Sequence, residues 1–251
     1  MKGNSDMKEP TPRNEEALLP ILEKFSSMLD CEDFTVDLDG GRTLEIIGSR
    51  LLFNPFQATM DMGVKKTNTA YAEKEIKWYE SQDLSVYPMM KDVKIWQTIA
   101  STEGKINSNY GYLIYSKENG NQYENCVNRL KANPSSKRAV MIYTRPSMWD
   151  DCSTDGMNDF ICTDGVQCSI KNSRLYYMVK QRSCDMIFGL LNDLYWHQHV
   201  FKKIMHDLEK TCFIKGGAIL YFPFNLHVYE RHFKLIKPMA DFVRRTYEKI
   251  D

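Results

Sequence analysis

The feature that most constrains the fold is a change of periodicity in the second half of the chain. Alternating apolar residues indicate β-strands over residues 162–170 and 175–179, with a polar turn between them. Apolar residues then recur at helical spacing over residues 192–208. Elsewhere the two patterns also mix, without regular βαβ alternation or an internal repeat. The sequence therefore predicts an α+β fold with a single domain over residues 14–251, after a flexible, polar N-terminus at residues 1–13.

Further elements follow from the same periodicities. Helical spacing predicts helices at Asn14–Asp30, Thr69–Ser81, 123–130 and 231–248, and alternation predicts strands at 139–143 and 218–222. Alternation over residues 34–53 around Asp39-Gly40-Gly41 predicts a hairpin. Arg42 follows that turn, and it is either a solvated turn residue or a cation that contacts a bound anion.

Composition argues against several classes of function. The 33 basic and 33 acidic side chains balance, so no basic field indicates direct nucleic-acid binding. No apolar run approaches the ~18–20 residues of a membrane span, and no signal-peptide core or nucleotide-binding glycine loop is found. The seven cysteines show neither CxxC nor Cys/His metal spacing. We expect free thiols, no metal and a cytoplasmic location, in the host cell if the source is viral.

One stretch carries the side chains that indicate chemistry. Cys162 is a thiol flanked by apolar residues, Arg182 and Ser183 place a cation beside a hydroxyl, and the carboxylates of Asp185 and Asp193 follow eight residues apart. A thiol nucleophile, an anion clamp and a carboxylate are the parts of a site for covalent chemistry on an anionic substrate. Such a thiol must ionise near neutral pH, which Arg182 would assist. Alone, Cys162 would be interpreted as a buried structural thiol.

These residues resemble a known family. Gln181-Arg182-Ser183-Cys184-Asp185, with Gly189 four residues later, is similar to the phosphate-and-folate segment of thymidylate synthases, and Cys162 stands where their nucleophile stands. The similarity, in particular to the phage branch that acts on deoxycytidylate, extends from about residue 33 to about residue 232 and includes 43–48, 94–97, 106–111 and 141–148. It implies a mixed β-sheet with flanking helices and a homodimer formed through the sheet.

The resemblance also implies roles for matching residues. Cys162 would be the nucleophile, and Glu75 would be the general acid/base. The nucleotide would bind to Arg182, Ser183, Gln181, His227 and Tyr229, and to Lys137 and Arg138 of the partner subunit. The co-substrate 5,10-methylenetetrahydrofolate would bind beside Asp185, Trp96, Gly189 and Tyr110. Two departures stand out: Lys137 replaces the family's usual arginine and loses its bidentate fork, and Ile99 replaces a second tryptophan.

Asp193 sets the predicted substrate. Thymidylate synthases carry asparagine here, whose amide can pair with the edge of uracil. A carboxylate instead accepts from the amino group of cytosine and stabilises a proton on the adjacent ring nitrogen. Because the wrong base leaves buried polar groups unpaired, discrimination can be on the order of 10⁴. A one-residue slip would give this role to Asn192, but the spacing from Asp185 favours Asp193.

The resemblance and Asp193 together imply an enzyme that transfers a one-carbon unit to carbon 5 of deoxycytidylate (dCMP). Water would then complete 5-hydroxymethyl-dCMP for modified viral DNA, and a viral nucleotide-synthesis complex is a candidate partner. The chain ends 19 residues after His232, and a less sealed site is expected to favour water over hydride. The alternatives are a dCMP methyltransferase, a dUMP hydroxymethylase or thymidylate synthase-like enzyme, and a non-catalytic relative that binds nucleotide or RNA.

Overall fold

A computed structural model of the chain describes residues 13–38 and 40–247. The predicted flexible N-terminus up to residue 12, Asp39 of the predicted turn, and residues 248–251, which include the predicted end of the last helix, lie outside the described residues. The helices are α1 (Asn14–Asp30), α2 (Thr69–Ser81), α3 (Ile95–Ile99), α4 (Tyr110–Tyr115), α5 (Gln122–Ala132), α6 (Met148–Asp151), α7 (Gly189–Leu208) and α8 (Phe233–Tyr247). The strands are β1 (Thr35–Val36), β2 (Arg42–Ile47), β3 (Leu51–Phe53), β4 (Val140–Ile142), β5 (Thr163–Lys171), β6 (Arg174–Asp185) and β7 (Gly216–Tyr229).

The strands form one mixed sheet with the order β1-β2-β7-β6-β5-β4, and β3 pairs with β7 beyond the end of β2. Strands β6 and β7 run parallel, joined by the crossover helix α7, whereas the other pairs are antiparallel. The predicted α+β class is confirmed, as is the mixed sheet with helices around it. The parallel register sets Asp185 opposite His227, so residues 42 apart in sequence lie side by side.

Local sequence explains why α2 lies where it does. Asn68 caps its first turn by accepting a hydrogen bond from the backbone N–H of Tyr71 at 3.2 Å. Its buried face then carries Tyr71, Glu75 and Tyr79 at helical spacing. Helix α4 packs against this helix so closely that a Cβ on Gly111 would lie 1.8 Å from the carbonyl oxygen of Tyr79. The glycine is therefore required for the two backbones to approach.

Several predicted bounds are confirmed and others are too short. The bounds of α1 and α2 agree with the prediction. The hairpin is confirmed for β1 and β2, but Leu51–Phe53 pairs with β7 rather than within it. Strand β6 continues six residues past the predicted end at residue 179 and carries the whole Gln181–Asp185 segment. Its continuation depends on parallel partners in β7, which are distant in sequence.

Strand β7 is the largest departure from the prediction, which ended it at residue 222. A proline normally ends an internal strand because it cannot donate a ladder hydrogen bond. Pro223 is tolerated because it falls between the last residue paired with β3, Tyr221, and the first paired with β2, Asn225. The strand therefore continues to Tyr229 and carries His227 to the site.

One face of the sheet lies open in the single chain. The cross-strand register places Leu52, Leu220, Met178 and Val140 on that face. Its outward apolar side chains include Leu52, Ile142 and Phe224, which are 47%, 58% and 64% exposed. Within the described residues, none of the helices is both long and apolar enough to cross a membrane.

Candidate active site

The thiol of Cys162 lies directly before β5, half-buried, against the guanidinium of Arg182. Nη2 of Arg182 lies 3.6 Å from Sγ and also donates to the carbonyl oxygen of Phe160 at 2.6 Å, while Nε donates to that of Ile161 at 3.0 Å. The guanidinium also stacks over the Phe160 ring at 4.8 Å. The sequence predicted these two side chains as partners, and the register of β5 with β6 brings them together.

Electrostatics at the thiol differ from the expectation. Burial raises the pKa of Cys162 to about 11, the cation of Arg182 opposes that rise, and the carboxylates of Asp193, Asp159 and Asp164 add to it. The cation is therefore in place but does not outweigh burial and the acids. A thiol with a raised pKa keeps its proton more readily than a free cysteine, and that proton must leave before the sulfur can act as a nucleophile.

Glu75 is a buried carboxyl in a chain of hydrogen bonds. Tyr71 donates its hydroxyl to Oε1 of Glu75 at 2.7 Å, and Trp96 donates Nε1 to the Tyr71 oxygen at 2.9 Å. Burial raises the pKa of Glu75 to about 8, the Tyr71 bond lowers it, and the charge of Asp193 raises it. At neutral pH this group holds a proton that it can donate, which is the property of a general acid.

Asp193 lies in the first turns of α7 and faces β6. Gln181 donates Nε2 to Oδ2 of Asp193 at 2.9 Å and to the hydroxyl of Thr163 at 3.1 Å. Burial raises the pKa of Asp193 to about 6, against the lowering effect of the Gln181 bond. The amide oxygen of Gln181 is buried and has no hydrogen-bond partner in the described chain. A buried acceptor without a donor is a place for a ligand N–H.

Other predicted residues surround this centre. Oδ1 of Asp185 accepts from the backbone N–H of Ile187 at 2.8 Å and so fixes the turn that opens α7. Gly189, the first residue of α7, lies next to both acids: a Cβ placed on it would be in ordinary contact with Cβ of Asp185 at 3.5 Å and Oδ2 of Asp193 at 3.9 Å. Ring contact at 4.8 Å joins His227 to Tyr229, and Nε2 of His227 is buried without a partner in the described residues.

Tyr110 and Ser183 are two further residues that were predicted to belong to the site. Tyr110 is buried against the thiol: burial raises its pKa, as do the charges of Asp193 and Cys162, and a hydrogen bond with Thr163 lowers it. Ser183 is half-buried on β6, one residue after Arg182. The charge of Cys162 thus acts on Tyr110, whereas the contribution of Ser183 to phosphate binding stays a prediction.

Three predicted cations lie away from this centre. Arg42, the half-exposed first residue of β2, forms an ion pair with Glu230 and stacks on Phe34 at 4.7 Å. Lys137 and Arg138 are exposed just before β4, at the outer edge of the sheet. Their contribution to a site of the partner subunit stays a prediction.

The structure adds residues that sequence interpretation missed. Tyr71 joins Glu75 to Trp96, and its position four residues before Glu75 on one helix was an available signal. Thr163 follows the nucleophile directly and binds Gln181. Lys65 has no comparable signal: its ammonium lies 3.6 Å over the Phe188 ring because loop and helix meet only in three dimensions.

Among residues 13–38 and 40–247, no group of three His, Cys, Asp or Glu side chains is placed so that it could hold a metal ion. The histidines of α7 have other environments. Burial lowers the pKa of His197 to about 3, and His199 lies 3.0 Å from Glu80. All seven cysteines are free thiols.

Comparison with known proteins agrees with this arrangement. The family model described as thymidylate synthase matches residues 22–249. Deoxycytidylate 5-hydroxymethyltransferases of Enterobacteria phages T4 and T2 are each 42% identical over 209 residues, covering 82% of this chain and 83% of the relative. A thymidylate synthase of Buchnera aphidicola is 26% identical over 220 residues, covering 85% of this chain and 80% of the relative. The family model covers most of the chain, and the site has a thiol beside an arginine and a buried glutamate with a raised pKa. This protein therefore belongs to the thymidylate synthase family.

Proposed function

We propose that this protein is a deoxycytidylate 5-hydroxymethyltransferase, with the whole of residues 14–251 as one catalytic domain. The observation that carries the proposal is the half-buried carboxylate of Asp193, which acts electrostatically on Cys162 and Glu75 and is held by Gln181 at 2.9 Å. The phage relatives that share 42% identity bear the same activity in their name. The proposed location is the cytoplasm of an infected cell.

The base-binding chemistry follows from the protonation of Asp193. With a pKa of about 6, the carboxyl is mostly ionised at pH 7 and acts only as an acceptor. Its oxygens fit the amino group of cytosine and a proton on the adjacent ring nitrogen. The orphaned oxygen of Gln181 is a second acceptor at the same place. Uracil would set its carbonyl oxygen against these acceptors, which is unfavourable.

The reaction steps assign each side chain a task. Sγ of Cys162 adds to carbon 6 of the ring, which makes carbon 5 nucleophilic. Glu75, protonated near neutral pH, donates and accepts protons at the base, and Tyr71 orients it. Arg182 and Ser183 hold the phosphate through charge-assisted hydrogen bonds. Carbon 5 takes the one-carbon unit and loses its proton, and tetrahydrofolate leaves, so that an exocyclic methylene remains. Water adds to that methylene, and the Cys162–carbon 6 bond breaks to release 5-hydroxymethyl-dCMP and the free thiol.

The donor 5,10-methylenetetrahydrofolate, the co-substrate of this family, fits the rim of the site. It supplies a one-carbon unit at the oxidation level of formaldehyde. The 47% exposed ring of Phe188 offers aromatic surface for its rings, and Asp185 offers a carboxylate acceptor for ring N–H groups. Trp96 is buried and hydrogen-bonded to Tyr71, so it would support that region from behind. We assign its binding to Asp185, Trp96, Gly189 and Tyr110.

A homodimer is part of the proposal. The open sheet face with Leu52, Ile142 and Phe224 is apolar enough to bury against a second copy. Lys137 and Arg138 lie at the edge of that sheet, exposed in one chain. Across a two-fold axis they would supply cations to the phosphate held by Arg182 of the other subunit.

Product analysis tests the function. The protein is incubated with dCMP and methylenetetrahydrofolate, and the product is identified by mass spectrometry, in which a hydroxymethyl product is about 16 Da heavier than a methyl product. We expect hydroxymethyl-dCMP from the wild type and none from Cys162→Ala. A methyl product would support the methyltransferase alternative, and turnover by Cys162→Ala would exclude covalent catalysis at this thiol.

A further inference from the structure

Asp159 is a buried carboxylate to which neither the sequence nor the reaction steps give a task. It is 4% exposed and accepts three hydrogen bonds. Oδ2 accepts from the backbone N–H groups of Asn107 and Ser108, both at 2.7 Å, and Oδ1 accepts from the hydroxyl of Ser108 at 2.6 Å. Burying a carboxylate costs desolvation even when both of its oxygens accept hydrogen bonds, which raises the question of what these three bonds position.

The residues directly after Asp159 hold the catalytic cation. The carbonyl oxygens of Phe160 and Ile161 accept two of the three hydrogen bonds donated by the guanidinium of Arg182, at 2.6 and 3.0 Å; the third goes to Sγ of Cys162. The backbone N–H of Arg182 in turn donates to the carbonyl of Cys162 at 2.9 Å. The orientation of the guanidinium, 3.6 Å from the thiol, therefore depends on where residues 159–161 lie.

The residues that donate to the carboxylate of Asp159 are connected to helices α2 and α4, and α2 carries Glu75. Asn109 follows the two donors, caps α4 by accepting from Tyr112 N–H at 2.8 Å, and donates to the carbonyl of Trp78 on α2 at 3.0 Å. Helix α2 holds Glu75, and α4 begins with Tyr110. One carboxylate thus ties the nucleophile's loop to the framework that holds the general acid.

We propose that Asp159 is a positioning residue that aligns Cys162 and Arg182 with the α2–α4 framework through its bonds to Asn107 and Ser108. Its effect on turnover rests on the proposed function, but its effect on the thiol–guanidinium contact does not. Because misplacement of reacting groups by about 1 Å can cost about 100-fold, Asp159→Asn should lower kcat/KM by about 10-fold to 100-fold. The amide of Asp159→Asn would replace one accepting oxygen with an NH₂ group, which is a donor and would face the N–H and O–H donors of Asn107 and Ser108.

The two effects of Asp159 on the pKa of Cys162 have opposite signs, which makes its role testable. Its negative charge raises that pKa, whereas its placement of Arg182 beside the sulfur lowers it. The charges of Asp159 and Asp164 both raise the pKa of Cys162. If charge alone mattered, removing either would yield more thiolate and faster alkylation. If Asp159 positions Arg182, its removal also takes the cation from the sulfur and slows alkylation. Asp164 accepts none of the bonds to Asn107 and Ser108, so Asp164→Asn is the matched control.

The experiment measures iodoacetamide alkylation of Cys162 by peptide mass mapping between pH 7 and 9, with no substrate present. We expect Asp164→Asn to react faster than wild type and Asp159→Asn to react several-fold slower than Asp164→Asn. Ser108→Ala keeps the charge and removes one bond, so it should lower kcat/KM by a smaller factor; it also serves if Asp159→Asn fails to fold.

Equal alkylation rates in Asp159→Asn and Asp164→Asn, or an unchanged Ser108→Ala enzyme, would overturn the proposal. A wild-type protein that fails to act on dCMP would sink the proposed function instead. The alkylation rates would still decide whether Asp159 positions the thiol, because that arm uses no nucleotide.

Discussion

Replacing Asp193 by asparagine should transfer the preference of the enzyme from dCMP to dUMP. Gln181 donates one N–H to Oδ2 of Asp193 at 2.9 Å and another to Thr163 at 3.1 Å, so its amide is held in place. In Asp193→Asn, Nε2 of Gln181 should donate its hydrogen bond to the amide oxygen of the new side chain, which leaves the new NH₂ group facing the base. There it meets the amino group of cytosine, donor against donor, whereas uracil offers a carbonyl oxygen.

The magnitude follows from two polar groups left unpaired in a buried site. At about 1–3 kcal/mol each, they cost about 2–6 kcal/mol, which corresponds to a loss of about 30-fold to 10⁴-fold in kcat/KM for dCMP. The pKa of Cys162 should fall as well, because the charge of Asp193 raises it. The folded chain should remain stable, since the variant also removes the burial of a charge.

The assay is tritium release from carbon 5 of dCMP and dUMP in competition, expressed as the ratio of kcat/KM values. Asn192→Asp is the control, since a shift of one residue would make Asn192 the residue that contacts the base. The reasoning fails if Asp193→Asn keeps the dCMP preference of the wild type, or if Asn192→Asp changes it by a comparable factor.

The remaining predictions concern the acid, its partner and the dimer. Folding raises the pKa of Glu75 from 4.5 to about 8, so its stabilising contribution is fully present below pH 4.5 and is lost as the pH rises to 8, at up to about 1.4 kcal/mol per pH unit. In urea unfolding, Glu75→Gln should therefore lose less free energy of unfolding between pH 6 and pH 9 than the wild type does. Equal losses in the two proteins would contradict burial of the acid. Tyr71→Phe removes a bond that lowers that pKa, so the pH–rate limb of Glu75 should move up by about one unit, and an unmoved limb would assign it to another group. Mixing Arg138→Ala with Cys162→Ala subunits should restore roughly a quarter of wild-type activity. Half of randomly assembled dimers are mixed, and in each of these one of the two sites combines an intact Cys162 with the intact Arg138 of the other subunit. No recovery would mean that Arg138 does not contribute to the partner's site.

Local patterns determined much of the molecule. The bounds of α1 and α2 could be predicted because apolar spacing and an N-terminal cap act within one helix. The turn between β1 and β2 was equally local. The grouping of a thiol, a cation and carboxylates within one stretch singled out Cys162, Arg182 and Asp193, and resemblance to one family supplied their roles and that of Glu75.

Only the tertiary structure decided how those groups behave. Strand β6 extends to Asp185, and β7 passes through Pro223, because each pairs with a strand that is distant in sequence. Burial then set the protonation of Cys162 and Glu75 against their usual values, which no local pattern encodes. The sequence thus specified which reactive groups are present, while non-local pairing and desolvation determined their distances and charges.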